Sequence, residues 1–167
     1  MPTIRRRWQL APLTAVAIAV LSGPAHAQEA AAWRVECTGD GKVLDCRAVQ
    51  QLFQRTPNQG DRLLVAVLVR RPTDAKATGA QMTIQLPLGL NLTEAIQVKV
   101  DGGAPERQQI QTCTNIGCFV SMAVNDKLLA TMRSGKELKI TVQDPSKKAV
   151  DLSLPLLGFG LAYDKVR

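Results

Sequence analysis

The sequence predicts a mainly β protein, one antiparallel β-sandwich with one short helix and local disulfides. Three observations carry that expectation. Val, Ile and Leu alternate with polar residues at strand spacing, while aromatic residues make up only 4% of the chain. The alternating segments are short and recur at intervals of roughly 10–15 residues with turn-forming residues between them, which is sandwich spacing. Four cysteines sit in a chain that opens with an export signal, and an even count in an oxidising compartment reads as a disulfide framework.

The 167-residue chain begins with an address. Arg5, Arg6 and Arg7 precede an apolar run from Leu10 to Leu21, and Ala25 and Ala27 put small residues at positions −3 and −1 of a cleavage point after Ala27. The run is shorter than the roughly 20 apolar residues of a spanning helix, and Pro12 and Pro24 interrupt the segment. The arginines and Trp8 make an incomplete twin-arginine pattern, so ordinary secretion is the expected route. No cysteine precedes Cys37, which leaves no lipid-modified cysteine at the cleavage point. The expected organisation is a cleaved signal peptide, residues 1–27, and one domain, residues 28–167, in the periplasm or secreted.

Within that domain the segment 33–37 alternates apolar and polar residues, and a second strand is expected over 43–53. Residues 63–69 are apolar throughout, which fits a central strand covered on both faces. Turn-forming stretches at 56–61 and 72–79 flank it. Met82, Ile84 and Leu86 alternate with Thr83 and Gln85 until Pro87 breaks the ladder. Ile96, Val98 and Val100 repeat the pattern, as do Leu138, Ile140 and Val142, and then Val150, Leu152, Leu154 and Leu156. Between the last groups a helix is expected. Asn125 caps it, Leu128, Leu129 and Met132 share a face, and Gly135 stops it. The tail, 158–166, is open between a final strand and a short helix, with Phe159, Ala162 and Val166 spaced for the helix.

Removing the leader changes the chemistry on offer. It takes away His26, the sole histidine, and three arginines, leaving 18 basic against 14 acidic groups and a net charge of +4 instead of +7. Without an imidazole there is no Ser-His-Asp, Cys-His or His-metal mechanism. The acids are scattered, no nucleophile motif is present, and neither an enzyme activity nor a cofactor is expected. For the cysteines, separations of nine and five residues favour Cys37–Cys46 and Cys113–Cys118 among three connectivities. Zinc usually takes C-x₂-C knuckles, and the spacings here are x₈ and x₄, so no metal is expected. A redox dithiol at Cys113 and Cys118 is the alternative function, a periplasmic thiol-disulfide oxidoreductase. Reactive dithiols usually show C-x-x-C at a helix N-terminus, whereas residues 112–118 read as a turn closing two strands.

Basic residues at Arg70, Arg71, Lys147 and Lys148, with Lys165 and Arg167 at the end, are the candidate contacts for an anionic lipid, polysaccharide or acidic partner. The competing reading is solvated charge that keeps sheet edges apart. Nucleic acid is not expected, because the charge excess is small and no aromatic residues interleave with it. Asn91-Leu92-Thr93 matches a glycosylation acceptor, a pattern common by chance.

Read in order, these pieces resemble a known family. Trp33-x-Val35-x-Cys37 and Cys46 with Gln50 open the domain. Leu86-Pro87-Leu88-Gly89-Leu90-x-Leu92, Val100-Asp101, Cys113-x₃-Gly117-Cys118, Leu128-Leu129, Gly135 and Leu157-Gly158-Phe159 follow. The chain resembles the invasion-associated locus B family of exported bacterial proteins over nearly all of residues 28–167. The resemblance implies an immunoglobulin-like β-sandwich and a periplasmic or outer-surface location. It brings no catalytic residues. The expected function is that of a non-enzymatic envelope protein presenting its sandwich surface to an envelope or host macromolecule, in host-cell invasion or envelope maintenance.

Overall fold

The computed structural model describes residues 33–39, 44–56, 60–71 and 79–166. The leader, Val43, and most of the turns around 57–59 and 72–78 lie outside the described residues, as does Arg167. In chain order the elements are β1 (Arg34–Gly39), β2 (Leu44–Thr56), β3 (Gly60–Arg70), β4 (Ala80–Leu86), β5 (Ile96–Val100), β6 (Glu106–Gln108), β7 (Thr112–Thr114), β8 (Gly117–Val124), α1 (Asp126–Ser134), β9 (Glu137–Gln143), β10 (Ala149–Pro155) and α2 (Phe159–Asp164). They build a six-stranded sheet in the order β1-β2-β3-β4-β8-β7 and a four-stranded sheet in the order β10-β9-β5-β6. Every pairing is antiparallel. The expected antiparallel sandwich is the observed one.

Register explains which face each residue takes. Ala48, Val69, Met82 and Met122 lie opposite one another across β2, β3, β4 and β8. All four are buried, as one inward row. Val98, Ile140 and Leu152 form the corresponding row across β5, β9 and β10, and both rows belong to a single core. The strict alternation of β4 and β9 along their lengths, buried then half-buried, is the period-two signature of a sheet with one face in that core. Strand β3 is interior, as its apolar run predicts, and even its outward Ala66 is 2% exposed.

The turns use residues that the local geometry requires. Gly135 ends α1 by donating to the Thr131 carbonyl, and a Cβ there would come within 2.5 Å of Val100 Cγ1. Asp101 takes a left-handed conformation, φ 50°, and its carboxylate accepts from the backbone N–H groups of Lys136 and Glu137 at the entrance to β9. Asn91 bridges Gln143 and Thr93 through its side chain, so the chance glycosylation triplet has a structural role.

One expectation needs correction. There are two helices among the described residues, not one, because the open tail is helical. Gly158, at φ 83°, turns the chain, and α2 then drives Phe159, Ala162 and Tyr163 inward. Phe159 meets Trp33 edge-on at 4.8 Å between ring centroids and stacks with Tyr163 at 5.8 Å. Trp33 donates from Nε1 to the Pro155 carbonyl, tying the start of β1 to the end of β10. This aromatic plug joins the two sheets at one end of the sandwich.

Candidate functional site

Both expected disulfides are present, Cys37–Cys46 and Cys113–Cys118. Each joins directly opposed residues of neighbouring antiparallel strands, β1 with β2 and β7 with β8. The two bridges therefore staple the two edge hairpins of the six-stranded sheet. Cys118 is 2% exposed, and Gly117 before it has φ 142° with no room for a Cβ against the Leu86 carbonyl. Neither Cys113 nor Cys118 stands at a helix N-terminus, where a thiol would be activated. The pair is placed as a staple.

Between the staples lies the outward face of the six-stranded sheet. Since Val35, Ala48, Val69 and Met82 point inward, Arg34, Arg47, Arg70 and Gln81 point outward by alternation. The register that sets Ala48 against Val69 brings Arg47 alongside Arg70. On its other side Arg47 faces Glu36, but the Glu36 carboxylate is held 2.8 Å from Arg34. Arg34 also donates to Gln51 at 2.6 Å. Arg70 donates from Nε and Nη2 to a single oxygen of Gln81, at 3.0 and 2.6 Å. Gln81 donates onward to the Ser121 hydroxyl at 3.2 Å. The Gln111 side chain completes the line by pairing with both the N–H and the carbonyl of Ser121.

Arg47 is the exception in this network. Its Nε is buried and has no acceptor among the described residues, and no ion pair forms with Asp45, its acidic neighbour on the same face. A buried donor left unpaired costs about 1–3 kcal/mol, more when charged. The amide oxygen that holds Arg70 orients its guanidinium without neutralising it. Two cationic residues thus occupy neighbouring outward positions of β2 and β3, Arg70 held by a neutral amide and Arg47 with no acceptor for its Nε among the described residues.

The other basic candidates lie apart from this pair. Arg71 faces the other way from Arg70, donating to the Val166 carbonyl at 2.7 Å and lying over the Tyr163 ring. Arg133 covers the same ring and binds Asp164 at 2.6 Å. That hydrogen bond from Arg133 holds the Asp164 carboxyl below its ordinary range, while burial pushes the Tyr163 hydroxyl up. Lys147 and Lys148 sit in the β9–β10 turn on the four-stranded sheet, with Asp144 accepting from the Ser146 and Lys148 N–H groups. The four residues are not one patch.

Two further surface features accompany the arginine face. A groove of about 450 Å³ runs between α1 and the β5–β6 connection, lined by Glu106, Asn125, Lys127 and Thr131 among others. It offers one carboxylate, short of the pair that glycoside hydrolysis uses, and Asn125 is committed to capping Leu128. At α2, Leu157 and Leu161 are 81% and 76% exposed. Among the described residues no three His, Cys, Asp or Glu side chains are placed to hold a metal, and no helix is long and apolar enough to cross a membrane.

Comparison with known proteins agrees with the architecture. The family model described as "Invasion associated locus B (IalB) protein" matches residues 33–167. The chain belongs to the IalB family. An invasion protein B homologue of Brucella abortus (strain 2308) is 28% identical over 160 residues, covering 95% of this chain and 89% of its own. Invasion protein B of Bartonella bacilliformis is 25% identical over 138 residues, covering 80% of this chain and 70% of its own. The crystal structure of invasion associated protein B from Bartonella henselae superposes with a TM-score of 0.68 at 24% identity, over 79% of this chain and 88% of that one. That likeness concerns the fold.

The family residues now have local explanations. Trp33 and Phe159 are the plug, Asp101 and Gly135 hold the entrance to β9, and Gly117 closes the second staple. Arg34 and Arg47 escaped the sequence reading because single arginines within alternating strands carry no period of their own. The signal was Arg47 within a strand whose outward neighbours could be counted, but the cross-strand register that brings it to Arg70 is not written in either strand alone.

Proposed function

We propose that the protein is exported, with its leader cleaved after Ala27, and works in the cell envelope as a non-enzymatic binding protein. Its disulfide-stapled sandwich presents a surface to another macromolecule. The observation that carries this reading is the outward face of the six-stranded sheet, where Arg47 and Arg70 occupy neighbouring positions without an acidic partner among the described residues. Family membership adds relatives named invasion protein B, and the crystal structure of invasion associated protein B from Bartonella henselae has the same fold. Entry into host cells and upkeep of the envelope are the two processes in which the partner is to be sought. The staples fit an oxidising compartment, where they keep the two edge hairpins closed.

The test is fractionation of producing cells followed by a binding assay. Expected are a chain starting at Gln28 outside the cytoplasm, four oxidised cysteines, and retention of the purified protein on isolated envelope. An uncleaved chain in the cytoplasm, or oxidised protein that washes freely off envelope, contradicts the reading.

A further inference from the structure

We propose that the outward face of the six-stranded sheet is a binding site for an acidic polysaccharide. Arg47 and Arg70 take a carboxylate of the chain, and the Gln81–Ser121 line takes neighbouring sugar hydroxyls. This rests on the reading of the protein as an envelope-binding module and names the chemistry of its partner.

Charge is the first argument. Arg47 lies between Glu36 and Arg70, yet Glu36 is occupied by Arg34. The Arg47 Nε remains buried without an acceptor among the described residues. Like charges brought alongside each other across a ladder disfavour the sheet, and a carboxylate shared by the two guanidinium groups removes that repulsion. Planar guanidinium forks match a carboxylate with paired hydrogen bonds.

Preorganisation is the second. Arg70 is already fixed through Nε and Nη2 on the Gln81 oxygen, which leaves Nη1 for a ligand. Gln81, Ser121 and Gln111 form a connected line of amide and hydroxyl groups across β4 and β8. Outward Thr83 and Gln85 flank it. Such an array of neutral donors and acceptors suits sugar hydroxyls.

The same face is poorly made for a lipid surface. Membrane-surface binding uses apolar side chains that insert below the headgroups, and the most exposed leucines of the described residues, Leu157 and Leu161, lie at α2 instead.

The experiment uses the full chain, produced with its leader and purified with both disulfides formed. It is titrated with a short oligogalacturonate, with a neutral dextran oligomer of matched length, and with phosphatidylglycerol vesicles, while the arginine Nε–H resonances are followed. Oligogalacturonate is expected to bind at least about tenfold more tightly than dextran and to shift the Arg47 and Arg70 signals. Arg47→Gln and Arg70→Gln each weaken binding by about tenfold with thermal unfolding little changed. Lys147→Gln with Lys148→Gln leaves binding within about twofold, since neither residue belongs to this face.

Equal affinity for dextran overturns the proposal, as does undiminished oligogalacturonate binding by the Arg47→Gln, Arg70→Gln double variant. Vesicle binding that the double variant loses, with no oligogalacturonate binding, assigns the face to lipid and overturns it too. If the protein holds isolated envelope but not oligogalacturonate, this inference falls and the envelope reading stands. Binding to neither removes both.

Discussion

On the four-stranded sheet Lys139 lies 3.5 Å from Asp151 and 3.8 Å from Glu137, and Thr141 donates to the same Asp151. On the six-stranded sheet Arg47 has no acceptor for its Nε among the described residues, and Arg70 is held by a neutral amide. Both outward faces come from the same alternation, are antiparallel, and enclose one core. They differ in what neutralises their charge. One face sets Lys139 between two carboxylates, Glu137 of its own strand and Asp151 of the next, although Lys99 lies opposite Lys139 without an ion pair among the described residues. The other keeps two guanidinium groups in reserve. The difference teaches that net charge, +4 for the expected exported domain, says little by itself. Where a guanidinium is left without a carboxylate among the described residues is the feature on which the proposed binding face rests.

The largest expected effect breaks the joint between the faces. Phe159→Ala empties the plug against Trp33 and Tyr163 and should cost about 3–5 kcal/mol in urea unfolding. Because the plug ties β1 to β10, both sheets should lose protection together. Next come the staples. Loss of the Cys37–Cys46 bridge should cost about 2.5–3 kcal/mol and loss of Cys113–Cys118 about 2 kcal/mol, following the longer and shorter loops they close. Hydrogen exchange should quicken at the affected hairpin and leave the four-stranded sheet unchanged.

A smaller pair of substitutions sharpens the contrast directly. Arg47→Met removes an unpaired buried donor and should raise stability by up to about 1 kcal/mol. Lys139→Met removes a paired cation and should lower it by up to about 1 kcal/mol. Urea midpoints moving in the same direction would erase the distinction drawn between the two faces. The smallest effect is acid-dependent. The Thr141 hydroxyl, with Lys139, holds the Asp151 carboxyl below its ordinary range. A carboxyl lowered in the folded state contributes stability above its unfolded value near about 4. That contribution is lost as pH falls through the lower folded value. Amides of β9 and β10 should therefore exchange faster below about pH 4 before those of β2 and β3 do, and Asp151→Asn should abolish the difference.

Much of the scaffold was legible. The alternation of Met82, Ile84 and Leu86 and of Leu138, Ile140 and Val142 located β4 and β9, and Asn125 with Gly135 bracketed α1. The close cysteine spacings anticipated both staples. Strand β6 was not legible, because three residues cannot show a period, and β7 and β8 were foreseen only as two strands closed by the turn at 112–118. The tail stayed ambiguous for a related reason, since α2 has only six residues and its helical turn packs Phe159 against Trp33 and Tyr163 against Phe159. The site was harder still. Arg70 was visible as half of a basic dipeptide, but its neighbour Arg71 turns to the Val166 carbonyl and Tyr163. Its real companion, Arg47, lies in another strand and is reached only through the register.

The most direct test compares the faces by function. Oligogalacturonate affinity should be measured for the double variant Arg47→Gln, Arg70→Gln beside Lys99→Gln, Lys139→Gln, which removes the same number of cations from the four-stranded sheet. The account predicts that the arginine variant loses at least about tenfold while the lysine variant stays within about twofold of the parent. Equal losses from the two faces would show that only total charge matters, and would contradict it.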